Sequence, residues 1–348
     1  MQNGVNHSKA SLTLRESLMR FRIIVLLAIF ISMTPISQSA SVENQLEPLS
    51  FLPQWRPQAQ FAGFYVALEK GFYRQNGIDL QFIQGGPDRS PVSYLMHRKA
   101  DVVTLWLSNA IQLAASGADV VNLAQVVQRS ALMMVSRKSS GIVSPVDMDG
   151  KKIALWPAHF QIQPRAFFDK FHLNVHAVTA ANTLNLFLRG GVDVALVMWY
   201  NEYHTLMTYG IDPDELNTIF FHDYDLNFPE DGIYTLGDTW FKRGDLLCRF
   251  VLASLAGWNY AFEHPEEALD IVIPIMEQNF VPANRIHQRW MLDRMQNLLD
   301  PGRDGTTAFE LKEADFQRVV HILHNENLIM TSPNFEYFSK GCVHHASK

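Results

Sequence analysis

The sequence predicts an α/β protein of two lobes with mainly parallel sheets and a hinge of two crossings. Three observations carry this. From Phe51 to Leu236, short apolar runs of strand character alternate with amphipathic helical stretches, the order that builds parallel sheets. An Asp-led strand followed by a tryptophan and an asparagine occurs twice, as Asp101-Val-Val-Thr-Leu-Trp-Leu-Ser-Asn and as Asp193-Val-Ala-Leu-Val-Met-Trp-Tyr-Asn, which fits equivalent strands in two similarly built lobes. From Asp245 onward the pattern is helical, with periodic apolar runs over 246–262 and 316–323.

The elements follow in order. Phe51-Leu52 closes a first strand. Phe61, Phe64, Tyr65 and Leu68 stand at i, i+3, i+4 and i+7, one apolar helix face. Gly71 sits where a helix stop needs a left-handed residue. Ile78, Leu80 and Phe82 alternate with polar residues as a strand. Asp88 or Ser90 caps a helix with Pro91 at its first position. Residues 101–106 read as a strand, Ser108-Asn109 as the cap of the next helix, and Gly117 as its end. Strand-like runs follow at 120–127 and 132–135. The turn-rich stretch 141–149 marks a boundary, and a new strand starts at Lys152. Beyond it come a helix through Phe167 and Phe168, a strand at 175–178, and a helix at 183–189 capped by Asn182. Strands at 193–198, 219–221 and 232–236 complete the alternation. The crossings between lobes are expected near Val135 and Gly232. The expected division is 1–40 as a leader, 47–135 with 237–323 as lobe I, 136–236 as lobe II, and 324–348 as a tail.

Composition narrows the classes. The chain has 348 residues and a formal net charge of −6, without a basic run, which argues against a nucleic-acid partner. Arg15, Arg20 and Arg22 precede the apolar run 23–31, and Ser37, Ser39 and Ala40 follow it, the order of a secretory leader. Met19 offers a tighter leader than Met1. The run is shorter than the roughly 20 residues of a membrane span. Cys248 and Cys342 are too few for a disulfide framework, and either pair or stay as buried thiols. His-Glu-x-x-His, Gly-x-Ser-x-Gly and Cys-x-x-Cys motifs are absent from the sequence, and no cofactor is indicated.

Candidate ligand residues cluster at strand ends, where α/β folds hold ligands. Trp55, Trp106, Trp156 and Trp199 fall at or just after predicted strand ends, and a rigid aromatic face stacks on a flat ring. Strand alternation turns Trp199 into its lobe. Ser108 and Asn109 open a helix whose N–H groups suit an anionic or carbonyl group. His159 and Arg165 lie near the Trp156 loop, and Arg56 beside Trp55 faces solvent.

The run from Trp55 through Ala62-Gly63, with Glu69-Lys70-Gly71-Phe72-Tyr73 and Gly77-Ile78-Asp79-Leu80, resembles the start of periplasmic substrate-binding proteins of the thiamine-pyrimidine-precursor type. These belong to the wider group of sulfonate, nitrate and taurine binding proteins. Tyr200-Asn201-Glu202 and Glu230-Asp231-Gly232-Ile233 resemble further segments of that family, where the region supplies acidic and amide groups to the cleft. The resemblance implies a type II periplasmic-binding-protein clamshell that closes on its ligand. It assigns Tyr200, Asn201, Glu202 and Glu230 to the site beside Trp55, Trp106, Ser108 and Trp156. The residues alone leave Asn201-Glu202 open to a helix-cap role and Glu230-Asp231 to a hinge turn.

The functional expectation is a monomeric periplasmic protein, not an enzyme. It captures a small heteroaromatic, pyrimidine-like molecule for an ABC permease at the inner membrane. A binding protein that docks on a sensor kinase is the alternative. A second is an enzyme like the thiamine pyrimidine synthase of the same fold family, disfavoured by the leader and the missing cysteine cluster.

Overall fold

The computed structural model describes residues 46–180, 183–299 and 309–343. The leader, Asn182, the His159 side chain and His344-His345 lie outside the described residues. Two five-stranded sheets organise the chain. The first holds β1 (Glu47–Leu52), β2 (Ile78–Phe82), β3 (Val102–Trp106), β4 (Val120–Gln125) and β10 (Asp231–Leu236), in the order β2-β1-β3-β10-β4. The second holds β5 (Leu132–Arg137), β6 (Lys152–Leu155), β7 (His176–Thr179), β8 (Val194–Met198) and β9 (Leu216–Phe220), in the order β7-β6-β8-β5-β9. In each sheet four strands share one direction. The fifth, β10 or β5, arrives from the other lobe and runs antiparallel to both neighbours.

The crossings are therefore the links from β4 to β5 and from β9 to β10. This corrects one boundary. Val135 lies inside β5, paired with Ala195 of β8 and Thr218 of β9, so the first crossing precedes it, at 126–131. The run from Val126 into β5 carries no glycine or proline, so nothing in the sequence marked the crossing. The turn-rich 141–149 stretch lies within the second lobe, between β5 and β6, where Ser144 and Asp147 form a capping box on the turn Pro145–Met148.

The helices are α1 (Ala62–Glu69), α2 (Phe72–Gln75), α3 (Pro91–Met96), α4 (Leu107–Ala115), α5 (Ile162–Lys170), α6 (Asn185–Leu188), α7 (Glu202–Thr208), α8 (Gly237–Glu263), α9 (Pro265–Gln278), α10 (Arg285–Leu299), α11 (Glu313–Asn325) and α12 (Phe335–Phe338). Gly71 takes φ of +73° between α1 and α2. Ser90 caps α3 by accepting from Ser93 N at 3.2 Å, with Pro91 in the first turn. The cap of α4 is Trp106, not Ser108, because the helix starts two residues earlier and places Ser108 in its first turn.

The first lobe is built on contact between α1 and α8. Phe64 meets Trp258 edge to face at 6.0 Å, and Phe51 lies between Phe64 and Phe250. The helices touch backbone to backbone. A Cβ on Gly257 would lie 2.1 Å from Gly63 O, and one on Gly63 would lie 2.2 Å from the Trp258 indole. The segment beyond Leu323, expected as a tail, packs on this lobe through residue 343. Phe338 is buried against Tyr234 and Phe316, Lys340 N donates to Asn122 O at 2.9 Å, and Cys342 is bonded to Cys248 of α8.

Gly257→Ala should cost on the order of 2 kcal/mol, since an inserted methyl has no space to enter. Thermal unfolding should show a Tm several degrees lower, whereas Gly86→Ala, with nothing within 4 Å, should leave Tm unchanged. Equal melting temperatures for the two variants would contradict the close helix contact.

Candidate functional site

The two crossings meet at the carboxyl ends of β3 and β8, and the candidate residues divide there. Trp106 ends β3 and is buried. It pairs directly with Asp231 of β10 in the antiparallel ladder, so both side chains rise from the same face of the sheet. Trp156 follows β6. Between the two tryptophans stands Phe160, whose ring meets Trp106 edge-on at 5.0 Å and Trp156 edge-on at 5.3 Å. A chain of three aromatic rings thus runs from the first lobe to the second. Trp55, half-buried, lies in the loop after β1. That loop is fixed by Gln54 N donating to Thr104 Oγ1 of β3 at 2.9 Å, and by close approach of Gly85 to the Trp55 carbonyl.

Beside the rings lies a buried polar group. Asp231 accepts from Gln54 Nε2, and Gln60 also hydrogen-bonds it. Burial pushes the Asp231 carboxyl up to about 7, against the opposing pull of Gln60. Tyr200 of the second lobe is buried within electrostatic reach of Glu230, Asp231 and Glu202. Its phenol is held well above its usual range, first by burial and then by these three charges, so it remains a neutral donor.

The other two carboxylates are engaged elsewhere. Glu230 Oε1 accepts from Ser130 Oγ at 2.9 Å, Ala131 N at 2.7 Å and Leu132 N at 3.2 Å. Its backbone carbonyl accepts from Gln125 Nε2 at 2.8 Å. Glu230 therefore ties the second crossing to the first. Burial raises its carboxyl to about 8, with the neighbouring Asp231 charge adding to the effect and the three donors opposing it.

Glu202 opens α7. Its Oε2 accepts from Met198 N at 3.0 Å and its Oε1 from Asn201 Nδ2 at 2.7 Å. Asn201 Oδ1 accepts from His287 Nε2 of α10 at 2.9 Å, which fixes the proton on that nitrogen. The other ring nitrogen of His287 meets His204 Nδ1 at 2.9 Å. Burial holds His287 down to about 4, so the pair is neutral at pH 7. Asn201 and Glu202 thus face α10. That helix reaches the first lobe as well, where Gln288 Oε1 accepts from Ala59 N at 2.8 Å and Met291 Sδ accepts from Gln60 N at 3.2 Å. Trp199 is turned into its lobe against Phe220, with Arg294 over its ring.

Of the expected residues, Trp106, Trp156 and Tyr200 converge with Asp231 at the junction. Asn201, Glu202 and Glu230 bind protein groups around it. Ser108 is buried, with its hydroxyl 3.5 Å from Asn109 Oδ1. Arg56 is exposed, and Arg165 bonds Gln161 at 2.8 Å. Sequence reasoning assigned no role to Gln54, Gln60 or Phe160, and left Asp231 open between an acidic group of the cleft and a hinge turn. The signal for Phe160 was its place in the loop that Trp156 begins. Among the described residues no group of three His, Cys, Asp or Glu could hold a metal ion, and no helix is long and apolar enough to cross a membrane.

The buried carboxyls give a signed pH dependence. In the folded chain Glu230 and Asp231 keep protons up to about 8 and about 7, while unfolding returns them to ordinary values near 4. Between these limits the folded state binds more protons, so stability falls as pH rises from about 5 to about 8. Tm measured across that range should decline, and Glu230→Gln or Asp231→Asn should flatten the decline. A wild-type Tm that rises across this range would contradict the assignment.

Comparison with known proteins agrees with this architecture. Residues 58–268 match the family described as NMT1/THI5 like. The formylaminopyrimidine-binding protein of Halalkalibacterium halodurans is 23% identical over 306 residues, covering 84% of this chain and 92% of that protein. The riboflavin-binding protein RibY of Chloroflexus aurantiacus is 22% identical over 263 residues, covering 68% and 69%. Among solved structures, a putative periplasmic sulfonate-binding protein of Methylobacillus flagellatus KT superposes with a TM-score of 0.65 at 16% identity, covering 87% of this chain and 94% of that one. The two-lobed periplasmic-binding-protein fold expected from the sequence is the fold observed.

Proposed function

The chain belongs to the NMT1/THI5-like family, and from that premise we propose that it is an exported solute-binding protein that captures a flat heteroaromatic, pyrimidine-like molecule between its lobes. It works as a monomer in the periplasm and hands its ligand to an ABC permease. The observation that carries this reading is the aromatic chain Trp106–Phe160–Trp156 spanning the two lobes beside a buried carboxylate. The names of the relatives from Halalkalibacterium halodurans and Chloroflexus aurantiacus support a ring-shaped ligand and a binding role. The leader-like order of residues 1–40 supports export, and the Cys248–Cys342 bond suits an oxidising compartment.

The proposed mechanism is hinge closure. The ring enters beside Trp106 and Trp55 of the first lobe. Closure about 126–131 and 221–230 brings Trp156 and Tyr200 of the second lobe onto it. A ligand that touches both lobes favours the closed state, because its contacts with one lobe are lost on opening. The permease then distinguishes the closed form from the open one. Binding without catalysis accounts for the site, since the polar groups around it are engaged in holding the crossings and α10.

The test is mass spectrometry of small molecules released on denaturing the purified protein. A nitrogen heterocycle is expected, and a released sulfonate would overturn the reading. With that molecule in calorimetry, Trp106→Ala and Trp156→Ala should each weaken binding roughly tenfold, the loss of about one aromatic contact. Native affinity in both variants would place the ligand elsewhere.

A further inference from the structure

We propose that His204 and His287 form a latch between the lobes that acid opens, so that loss of the ligand is coupled to uptake of protons. The proposal goes beyond the functional reading above and takes from it only that the lobes turn about the two crossings.

The latch lies on α10. His287, Trp290 and Arg294 stand at i, i+3 and i+7, one face of the helix. All three meet the second lobe. His287 Nε2 donates to Asn201 Oδ1 at 2.9 Å, Trp290 Nε1 donates to Trp199 O at 3.1 Å, and the Arg294 guanidinium lies over the Trp199 ring at 4.9 Å. Gln288 and Met291, on another face, hold the helix to Ala59 and Gln60 of the first lobe. The helix therefore travels with the first lobe, and opening the cleft separates its latch face from α7.

The proton positions follow from the partners. Asn201 Nδ2 is spent on Glu202 Oε1, so Asn201 Oδ1 faces His287, whose Nε2 carries the hydrogen. In the neutral ring Nδ1 is then a bare acceptor, and in the 2.9 Å contact with His204 Nδ1 the donor is His204. A proton added to His287 can enter only at Nδ1. There it meets the N–H of His204, and two facing donors replace a hydrogen bond. A proton added to His204 enters at Nε2 and makes a buried cation beside Trp290, whose ring already lies under the Arg294 guanidinium at 4.3 Å.

The charged neighbours are otherwise engaged. On α7, Glu202 has its carboxyl raised by burial and gives both oxygens to Met198 N and Asn201 Nδ2. The Tyr203 phenol beside Trp290 is held above its usual range by burial and by the Asp214 charge, and Tyr200 after β8 is a neutral phenol. On α10, Arg285 and Arg289 pair with Glu266, Asp270 and Asp293. Among the described residues neither latch histidine joins an ion pair. In the closed state burial holds both rings below their ordinary 6.5, and with the facing His204 it takes His287 down to about 4. Opening returns water to the rings and restores the ordinary value. The open state thus binds more protons between about 4 and about 6.5, and closure is lost as pH falls through that window. The direction is opposite to that of Glu230 and Asp231. It acts on closure rather than on the fold, because the rings regain water without unfolding.

Small-angle scattering of the full chain without added ligand reads the lobe spacing. The wild type should have a smaller radius of gyration at about pH 8 than at about pH 5. His287→Lys, which places a cation in the latch, should give the larger radius at both. His204→Phe combined with His287→Gln, which removes both titrating rings, should give one radius at both. An unchanged wild-type radius overturns the proposal, and so does a double variant that keeps the wild-type response. If the double variant does not fold, imidazole NMR of the wild type decides. Opening should share its midpoint with proton uptake by the two rings, and opening while both stay neutral overturns the latch. None of these outcomes depends on which molecule the cleft binds, so the ligand reading is tested separately by the mass spectrometry above.

Discussion

The Glu230 carboxylate is the constraint on which the two-lobed arrangement depends. It stands at the end of the second crossing and takes three donors from the first, including two backbone N–H groups at the start of β5. Two chain segments about a hundred residues apart in sequence are thereby joined at one oxygen. Burial makes an unpaired donor expensive, so this arrangement fixes the crossings against each other and lets the lobes turn about a defined point. The next residue, Asp231, begins β10 and carries its carboxylate into the junction. Hinge and site are adjacent because one strand start supplies both.

The lobes are also joined by α10. One face meets the turn at Ala59 and Gln60 in the first lobe, and another reaches Asn201, His204 and Trp199 in the second. Glu202 and Asn201 gain their importance from this helix. They order the start of α7 and dock it on His287. Gln60 connects this support to the junction, since its backbone N–H meets α10 while its side chain meets Asp231. Behind the junction, the glycine contact between α1 and α8 brings the first lobe's helices close enough for Trp258 to fill the space between them.

Much of the fold was legible because its signals are local. Gly71, Ser90 with Pro91, and the alternating strand at Ile78 each follow from one residue's backbone preference or a short period. The tryptophans at strand ends were legible for the same reason. The crossing at 126–131 was not, because an extended link between strands has the same apolar texture as a strand. Ser108 was misplaced as a cap by a helix that begins two residues early. The partners in the junction were hidden by distance along the chain: Gln54 and Gln60 stand more than 170 residues before Asp231, and no pattern in one sequence pairs them. The direction of Asn201 and Glu202 depended on His287, 86 residues beyond Asn201 in the chain.

The central claim is that a heteroaromatic ring lies at the junction of the lobes, against Trp106 and Trp156. A crystal structure of the protein grown with the molecule it retains through purification tests this most directly. The account predicts density for a flat ring there, with its face against the Trp106 or Trp156 indole. Ligand density elsewhere, for instance in the cavity of about 230 Å³ lined by Trp258, Phe262, Leu299 and Phe309, with the junction filled only by water, would contradict it.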